Sequence, residues 1–377
     1  MNTPLVKLGD VCEVVRARIP IAQLTEETYI STDNMLQRRK GVTKVDKLPL
    51  KGTAVRFRPG DVLLSNIRPY LQKLWLAERE GGASSDIIVF RPKPECAPAY
   101  LFHALSQEAF FDYVMLNPSG TKMPRGRREW IARFAFPLPS LAEQERIVAH
   151  LERTLGAIDA MEAKFREMAE TAERHFRATL AESFAALSSA PAVKLGEVCE
   201  VTYGYAFASE FLNSEAKGCP IIRIQNVLTG ITTTYTTEAC NPRYLIRKGD
   251  LLIGMSGAFN IARWQGAEAF LNQRVCRLAP KLGVLGGYLL YRLPEYLAQI
   301  WEAKSFTTLK NLSKQELEGL SFPLPSLAEQ ERVVARLERA EGVSRRVVAL
   351  AQEGVAQCGV YRRAVLSEAF GGGVGDE

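Results

Sequence analysis

The stretch FPLPSLAEQERIVAHLER, residues 136–153, occurs a second time almost unchanged as FPLPSLAEQERVVARLER, residues 322–339. In both copies a serine follows the prolines, and a glutamate lies three residues further on. This is the spacing of a capping box at the start of a helix. Each copy therefore predicts that an extended segment ends at the prolines and that a helix begins behind Ser140 or Ser326.

The repeat extends well beyond this motif. The same offset of 186 residues carries FRATLAESF (176–184) onto RRAVLSEAF (362–370), and KLGDVCEV (7–14) matches KLGEVCEV (194–201). A period of roughly 190 residues indicates a duplicated domain with its linker, since solenoid repeats run at about 20–50 residues. The predicted boundaries follow the repeat, with variable modules at 1–139 and 188–325 and helical regions at 140–187 and 326–377.

The helical regions are predicted from apolar residues that recur at steps of three, four or seven. They favour one long amphipathic helix over about 141–187 and a second over about 327–370. AEQER alone would fit the polar first turns of any coiled coil. Its second copy, with FPLP in front and a long helix behind, argues against that reading.

The second helix is unusual because Gly342, Gly354 and Gly359 fall inside it. Each costs up to about 1 kcal/mol relative to alanine in a helix interior. One explanation is a locally frayed helix. The other is close packing, because in an antiparallel pair the bulky Phe165 and Met168 of the first helix would face small residues.

Each variable module has short β-like runs broken by glycine and proline, such as VRFRPGDVLLSNI (55–67) and PIIRIQNV (220–227). A helical stretch follows in each, over 99–115 and 287–303. The predicted fold class is therefore α+β, with two α/β modules and two long helices in an internal repeat.

Composition limits the class of protein. The chain has 377 residues, 47% of them hydrophobic, and no apolar run near the roughly 18 residues that a membrane span needs. With no signal-peptide pattern at its start, we expect it to be cytoplasmic. The seven cysteines show no zinc spacing, and we expect them to be reduced and mostly packed in cores.

The formal net charge of +6 is modest, but the positive excess lies in the variable modules. Residues 36–58 contain eight Lys or Arg and one Asp, and residues 119–133 contain five and one Glu. Irregular, basic chain can follow phosphates and reach base edges, although a solvated loop is the alternative for each stretch. The candidate DNA-contacting residues are Arg38, Arg39, Lys40, Arg68, Lys73, Ser119, Thr121, Lys122, Arg125, Arg127, Arg128, Arg263, Gln273, Arg274, Thr307, Thr308, Lys310, Asn311 and Lys314.

Signals for catalysis are weak. Only three histidines exist, and two lie on the first predicted long helix, so a histidine acid–base site is not expected. There is no GxxxxGK[ST] phosphate loop. Asn241-Pro242-Arg243-Tyr244 lacks the second proline of the Asn-Pro-Pro-aromatic loop of amino-methyltransferases. We predict a binding protein that needs no cofactor or metal of its own.

Two variable modules, each entered by KLG[DE]V and closed by FPLPSLAEQER and a long helix, resemble the specificity subunit of a type I restriction-modification system. The resemblance spans nearly the whole chain. It implies that each module is a target recognition domain for half of a bipartite DNA site. It also implies that the helices pair antiparallel as a coiled-coil spacer, with pseudo-two-fold symmetry between the repeats.

The resemblance further implies partners. Two DNA methyltransferase (modification) subunits would bind the helices, near Glu143, Gln144, Glu329 and Gln330, and restriction subunits would join outside them. Methyl transfer and ATP chemistry would belong to those partners, so this chain would not be an enzyme. Because the modules have diverged, the site on double-stranded DNA should be asymmetric. The alternative is a coiled-coil adaptor that binds proteins and not specific DNA.

Overall fold

A computed structural model describes residues 3–120, 122–304 and 310–371 of the chain. The chain forms two compact units. The first contains Met1–Glu167 and Ala351–Glu377, and the second contains Met168–Leu350. Each unit therefore combines one variable module with parts of both long helices.

The module of the first unit is built from short strands and short helices. Its strands are β1 (Leu5–Lys7), β2 (Cys12–Val14), β3 (Arg18–Pro20), β4 (Tyr29–Ile30), β5 (Thr53–Phe57), β6 (Val62–Ser65), β7 (Leu74–Leu76), β8 (Gly81–Ala83), β9 (Ile87–Pro92), β10 (Pro118–Ser119), β11 (Arg125–Gly126) and β12 (Ala135–Pro137). Its helices are α1 (Leu8–Val11), α2 (Pro98–Ala104), α3 (Glu108–Leu116) and α4 (Arg128–Ile131), and the long helix α5 (Leu141–Ala185) follows.

The second module repeats this plan. Its strands are β13 (Ala192–Lys194), β14 (Cys199–Tyr203), β15 (Leu212–Asn213), β16 (Cys219–Ile222), β17 (Tyr235–Thr236), β18 (Leu245–Ile246), β19 (Leu251–Gly254), β20 (Ile261–Arg263), β21 (Ala269–Leu271), β22 (Val275–Pro280) and β23 (Ser321–Pro323). Its helices are α6 (Leu195–Val198), α7 (Asn226–Thr229), α8 (Gly286–Ala303) and α9 (Lys314–Glu318), and the long helix α10 (Leu327–Ala369) follows.

A four-stranded antiparallel sheet is the core of each module, in the order β2-β9-β6-β7 and, equivalently, β14-β22-β19-β20. The central strand β6 is buried on both faces. Val62 and Leu64 pack in the cluster that contains α2 and α3, and Leu63 packs in the cluster on the other face. Because side chains of a strand alternate between faces, the continuous run Val-Leu-Leu fills two cores at once.

A second sheet in each module contains one parallel strand pair, β4 with β8 and β16 with β21. The first has the order β3-β5-β8-β4, and the second has five strands in the order β15-β17-β16-β21-β18. The predicted α+β class is confirmed for both modules.

A short strand pair closes each module at the point where the repeat matches best. β1 pairs with β12, which places Val6 opposite Phe136, and β13 pairs with β23, which places Val193 opposite Phe322. The residues that lead into KLG are therefore hydrogen-bonded to the FPLP segment, and KLG itself is bonded to the residues just before FPLP. This explains why the repeat retains both.

Both predicted long helices are present, and α10 is continuous through its glycines. The frayed alternative is therefore wrong. A β-carbon on Gly354 would lie 2.5 Å from the ring of Phe165, so this glycine is needed for close approach, whereas a β-carbon on Gly342 would meet nothing within 4 Å. The packing explanation is confirmed for Gly354 only.

Within the first unit, the parts of α5 and α10 run antiparallel. Arg362 of α10 pairs with Asp159 and with Glu162, the latter at 3.1 Å, and Gly354, about two turns before Arg362 on α10, lies against Phe165 of α5. Within the second unit, Arg336 of α10 pairs with Glu182 near the end of α5 at 3.0 Å.

All seven cysteines are free thiols and five of them are buried. Burial raises the pKa of the Cys12 and Cys96 thiols to about 12, so both stay protonated. In the part of the chain that the structure describes, no helix combines the length and the apolar character that a membrane crossing requires. Those residues also contain no His, Cys, Asp and Glu group that could hold a metal ion.

Candidate nucleic-acid interface

The central strand of the first module ends at a junction of three loop segments. The backbone N–H of Asn66 donates to the carbonyl of Asp86 at 2.8 Å, and Ile67 forms a β-bridge with Arg125. The N–H of Arg68 then donates to the carbonyl of Pro124 at 2.8 Å. We call residues 66–68, 86 and 124–125 the first loop frame.

The second module has the same junction. The N–H of Met255 donates to the carbonyl of Arg274 at 2.8 Å, Ser256 forms a bridge with Asn311, and the N–H of Gly257 donates to Lys310 at 3.1 Å. Residues 255–257, 274 and 310–311 are the second loop frame. Each of its backbone contacts has a counterpart in the first frame.

The first loop frame brings together two of the predicted DNA-contacting residues, Arg68 and Arg125. Ser119 lies opposite Arg125 in the β10–β11 pair, and Lys122 lies exposed in the turn between them. The second loop frame contains Arg274, Lys310 and Asn311, with Gln273 adjacent and exposed. Thr121, Thr307 and Thr308 lie outside the described residues.

The side chains of the first frame are held by an ion pair. A guanidinium nitrogen of Arg125 lies 3.2 Å from a carboxylate oxygen of Asp86, with both side chains close to half exposed. Sequence reasoning missed Asp86. The available signal was an acidic residue directly before a predicted strand in a strongly basic module.

The side chains of the second frame are held by an amide. The Oδ1 of Asn311 accepts from the Ser256 hydroxyl at 2.6 Å and from Arg274 at 3.4 Å. Lys310 is less available, because its ammonium lies 3.3 Å from the centre of the Trp301 ring and donates to the Trp301 carbonyl. Among the three predicted contacts in this frame, Arg274 and Asn311 are the exposed ones.

The basic turn before β5 is bonded to the segment that follows the first frame, since the N–H of Arg39 donates to the carbonyl of Gln72 at 3.0 Å. The side chain of Arg39 points inward and donates to the carbonyl of Ser106, and burial lowers its pKa to about 10. Arg39 therefore has a structural contact here, and its predicted contact with DNA stays a prediction. Arg38 and Lys40 are exposed, and Lys73 donates to the Thr32 carbonyl.

Other predicted residues lie away from the frames. Arg263 is opposite Leu251 at the far end of the β19–β20 pair, where it donates to the Gly249 carbonyl. The structure does not bring it to the second frame, and its contact with DNA stays a prediction. Arg127 and Arg128 are exposed at the start of α4.

Lys314 occupies the position equivalent to Arg128, at the start of α9. Its ammonium lies 5.6 Å from the centre of the Tyr203 ring and 3.8 Å from a carboxylate oxygen of Glu318. It is an exposed cation beside its module's sheet, but it already has one acidic neighbour.

The two glutamines of the repeated motif are structural. Gln144 is fully buried, and its Oε1 accepts from the N–H of Ala97 at 2.8 Å, at the residue just before α2. Its Nε2 donates to the carbonyls of Glu95 and Pro139, both at 2.9 Å. No atom of this side chain is left for a partner, so the partner-binding prediction is corrected for Gln144.

Gln330 makes the same three contacts in the second unit, and its partner-binding prediction is corrected for the same reason. It is fully buried, accepts from the N–H of Leu285 at 2.9 Å, and donates to Gly283 and Pro325. Each glutamine therefore joins the start of a long helix to the start of the module's own helix.

The neighbouring glutamates remain accessible. Glu143 pairs with Arg146, and its N–H lies 3.4 Å from the Ser140 hydroxyl. Glu329 accepts from the hydroxyl of Ser326 and from its N–H, and these hydrogen bonds lower the pKa of its carboxyl group. The first copy thus keeps the serine half of the predicted capping box, and the second keeps the glutamate half.

Comparison with known proteins follows the duplicated architecture. The type I restriction modification DNA specificity domain matches twice, over residues 3–168 and 191–343. The EcoBI type I restriction enzyme specificity subunit of Escherichia coli is 37% identical over 147 residues. That match covers 39% of this chain and only 31% of the EcoBI subunit.

Solved structures agree in fold. A chain from a study of complex assembly and conformational transition of the type I R-M system has a TM-score of 0.82 at 23% identity, covering 98% of both chains. The HsdS subunit from Thermoanaerobacter tengcongensis has a TM-score of 0.61 at 23% identity, covering 97% of this chain and 96% of its own. The family predicted from the doubled motif is confirmed: the chain belongs to the type I restriction modification DNA specificity domain family.

Proposed function

We propose that this chain is the DNA-recognition subunit of a type I restriction-modification complex and has no catalytic activity of its own. The observation that carries the proposal is the loop frame, which occurs twice on equivalent backbone hydrogen bonds but with different side chains. Two similar scaffolds with different exposed groups are suited to reading two different half-sites.

The charges around the frames suggest that some residues contact phosphates and others read bases. Lys40, Lys122, Arg127 and Arg128 are exposed cations without a carboxylate partner among the described residues. Such side chains favour phosphate contacts, which fix the position of a protein on a duplex without reading sequence. Base discrimination then falls to groups that the loop frames hold in place.

The asymmetry of the target follows from the divergence of the modules. Arginine can bind the O6 and N7 of guanine with two hydrogen bonds in the major groove. The arginines stand at different frame positions, Arg68 and Arg125 in the first frame and Arg274 in the second. Half-sites read by unlike frames should differ in sequence. The recognised site would therefore be bipartite and not palindromic.

We further propose that the long helices separate the half-sites and carry the modification subunits, which supply methyl transfer. Glu143 and Glu329 remain accessible enough for such contacts, unlike the neighbouring glutamines. Restriction subunits would join through those partners.

Selection from a random duplex library tests the proposal. The full chain, assembled with its modification subunits, should enrich two different half-sites separated by a fixed spacer, and binding should weaken steeply with salt. Insertion of seven residues after Glu167 and after Leu350, where the two units divide each helix, adds about 10 Å of helix and should lengthen the spacer by about three base pairs.

Enrichment of no sequence would overturn the proposal and favour a protein-interaction adaptor. Methyl transfer by the purified chain alone would contradict the absence of catalytic activity. A spacer that stays unchanged after both insertions would refute the role of the helices in setting it.

A further inference from the structure

The two loop frames share their backbone hydrogen bonds but differ in the side chains they carry. In the first frame Ile67, Arg68, Asp86 and Arg125 occupy the positions that Ser256, Gly257, Arg274 and Asn311 occupy in the second. If these positions served only for packing, there would be no reason for an arginine to stand at one position in the first frame and at another in the second. The difference indicates that the four positions determine what each module recognises.

We propose that these four positions set the base pairs that each module reads, with Arg125 and Arg274 contacting guanine and with Asp86 and Asn311 positioning those arginines. The inference rests on the proposed function, since it names the residues by which that function is performed. It makes Asp86, a residue outside the basic stretches, part of the recognition site.

The exchange of an arginine and its acceptor is the first support. In the first frame the acid Asp86 lies before β9 and the arginine lies on β11, at 3.2 Å. In the second frame the arginine lies before β22, where Asp86 lies in the first, and the acceptor Asn311 lies at the position of Arg125. In each module, one side-chain oxygen thus binds one guanidinium, but the two frame positions of arginine and acceptor are exchanged between the modules.

This arrangement suits bidentate recognition. A guanidinium has five N–H donors in a rigid plane, so an acceptor that binds one edge fixes the orientation and leaves the others for a base. Arg125 and Arg274 are both exposed, which leaves them accessible to a duplex. Because the arginines sit at different frame positions, the guanines they contact would lie at different places in the two half-sites.

Backbone conformation is an independent support. Arg68 has a φ of 51°, in the left-handed region that favours glycine, and the equivalent residue of the second frame is Gly257 with a φ of 69°. The first module therefore keeps an exposed arginine at a position where the second module has a glycine, which adopts this backbone conformation without strain. Residues held in sparsely populated conformations cluster at functional sites, where the surrounding structure fixes them.

The strain continues into the adjoining turn. Arg38, Arg39 and Gln72 also have positive φ values, and the Arg39 N–H to Gln72 carbonyl bond joins their two segments. Among the described residues, the only other non-glycine position with positive φ is Ala216. Strained backbone in this protein is thus concentrated beside the first loop frame.

The competing interpretation is an ordinary surface ion pair, which contributes little to either stability or recognition. The chain offers a matched control, because Arg56 and Glu80 form an ion pair at 3.4 Å in the same module, also between exposed side chains. Neither residue belongs to a loop frame.

The test uses the full chain assembled with its modification subunits, and it measures relative affinity for all four base pairs at each position of both half-sites. We expect Arg125→Gln to reduce the preference for one G·C pair of one half-site by about tenfold to a hundredfold. Arg274→Gln should do the same at one pair of the other half-site only. Arg56→Gln and Glu80→Gln should change no base preference.

The positioning role of Asp86 has its own readout. Asp86→Ala should weaken the preference at the same base pair as Arg125→Gln, and the double variant should be no worse than Arg125→Gln alone. Asp86→Glu should recover part of the preference. A loss of general affinity equal for all sequences would overturn the positioning role.

Two outcomes separate the two proposals. If the wild-type complex enriches no sequence, the proposed function fails and this inference falls with it. Suppose instead that the wild type is selective, but that Arg125→Gln and Arg274→Gln change its base preferences no more than the control variants do. The inference alone is then overturned.

Discussion

Replacement of Gln144 by alanine should open the start of helix α2 in the first unit. The side chain is fully buried and makes three hydrogen bonds of 2.8 to 2.9 Å, all of them to main-chain groups. A net contribution of about 0.5–1.5 kcal/mol for each bond gives a loss of roughly 2–4 kcal/mol, because the N–H and carbonyl groups left behind remain buried without partners.

Native-state hydrogen exchange of peptides that span 93–105 measures this loss locally, which avoids treating a two-unit protein as a single transition. Glu145→Ala is the matched control, one residue away and exposed. Gln144→Glu should be at least as destabilising at neutral pH, because its carboxylate would face the carbonyls of Glu95 and Pro139. Equal opening free energies for Gln144→Ala and Glu145→Ala would refute the structural role, and Gln330→Ala should reproduce the effect near Leu285.

Two further predictions concern stability. Gly354→Ala should lower the melting temperature, because its β-carbon would lie 2.5 Å from the Phe165 ring. Gly342→Ala should stabilise helix α10 by up to about 1 kcal/mol, since nothing lies within 4 Å of that position. Melting-temperature shifts of the same sign for the two variants would contradict this. Burial lowers the pKa of His103 from its ordinary value of 6.5 to about 4, so the folded state favours the neutral ring. Its stabilising contribution is complete above pH 6.5 and is lost as the pH falls towards 4. His103→Phe should therefore flatten the pH dependence of the unfolding free energy in that range, by roughly 3 kcal/mol in total, and an unchanged slope would count against it.

Local patterns in the sequence predicted the scaffold well. The capping-box spacing behind FPLP gave the starts of both long helices at Leu141 and Leu327, and the apolar periodicity gave their lengths to within two residues. The repeat also predicted that bulky residues of the first long helix lie near small residues of the second, and Phe165 does pack against Gly354. These features depend on neighbours along one helix or on comparison of the two copies.

The roles of individual side chains in the candidate site were harder to predict because they depend on tertiary contacts. Gln144 contacts Ala97, which lies 47 residues earlier, and no spacing rule indicates an amide used in that way. Arg39 stands in a run of exposed cations, yet its side chain turns inward to Ser106. Asp86 becomes relevant only because folding places it beside Arg125.

The glutamine joints also bear on how such a protein can change its target. Gln144 and Gln330 hydrogen-bond only to peptide groups, so these bonds do not depend on which side chains the module carries at the joint. A module with a different surface could keep the same hydrogen bonds to the glutamine, provided that its backbone follows the same path there. Under the proposed function, new specificities would then arise by exchange of whole modules, with these hydrogen bonds unchanged.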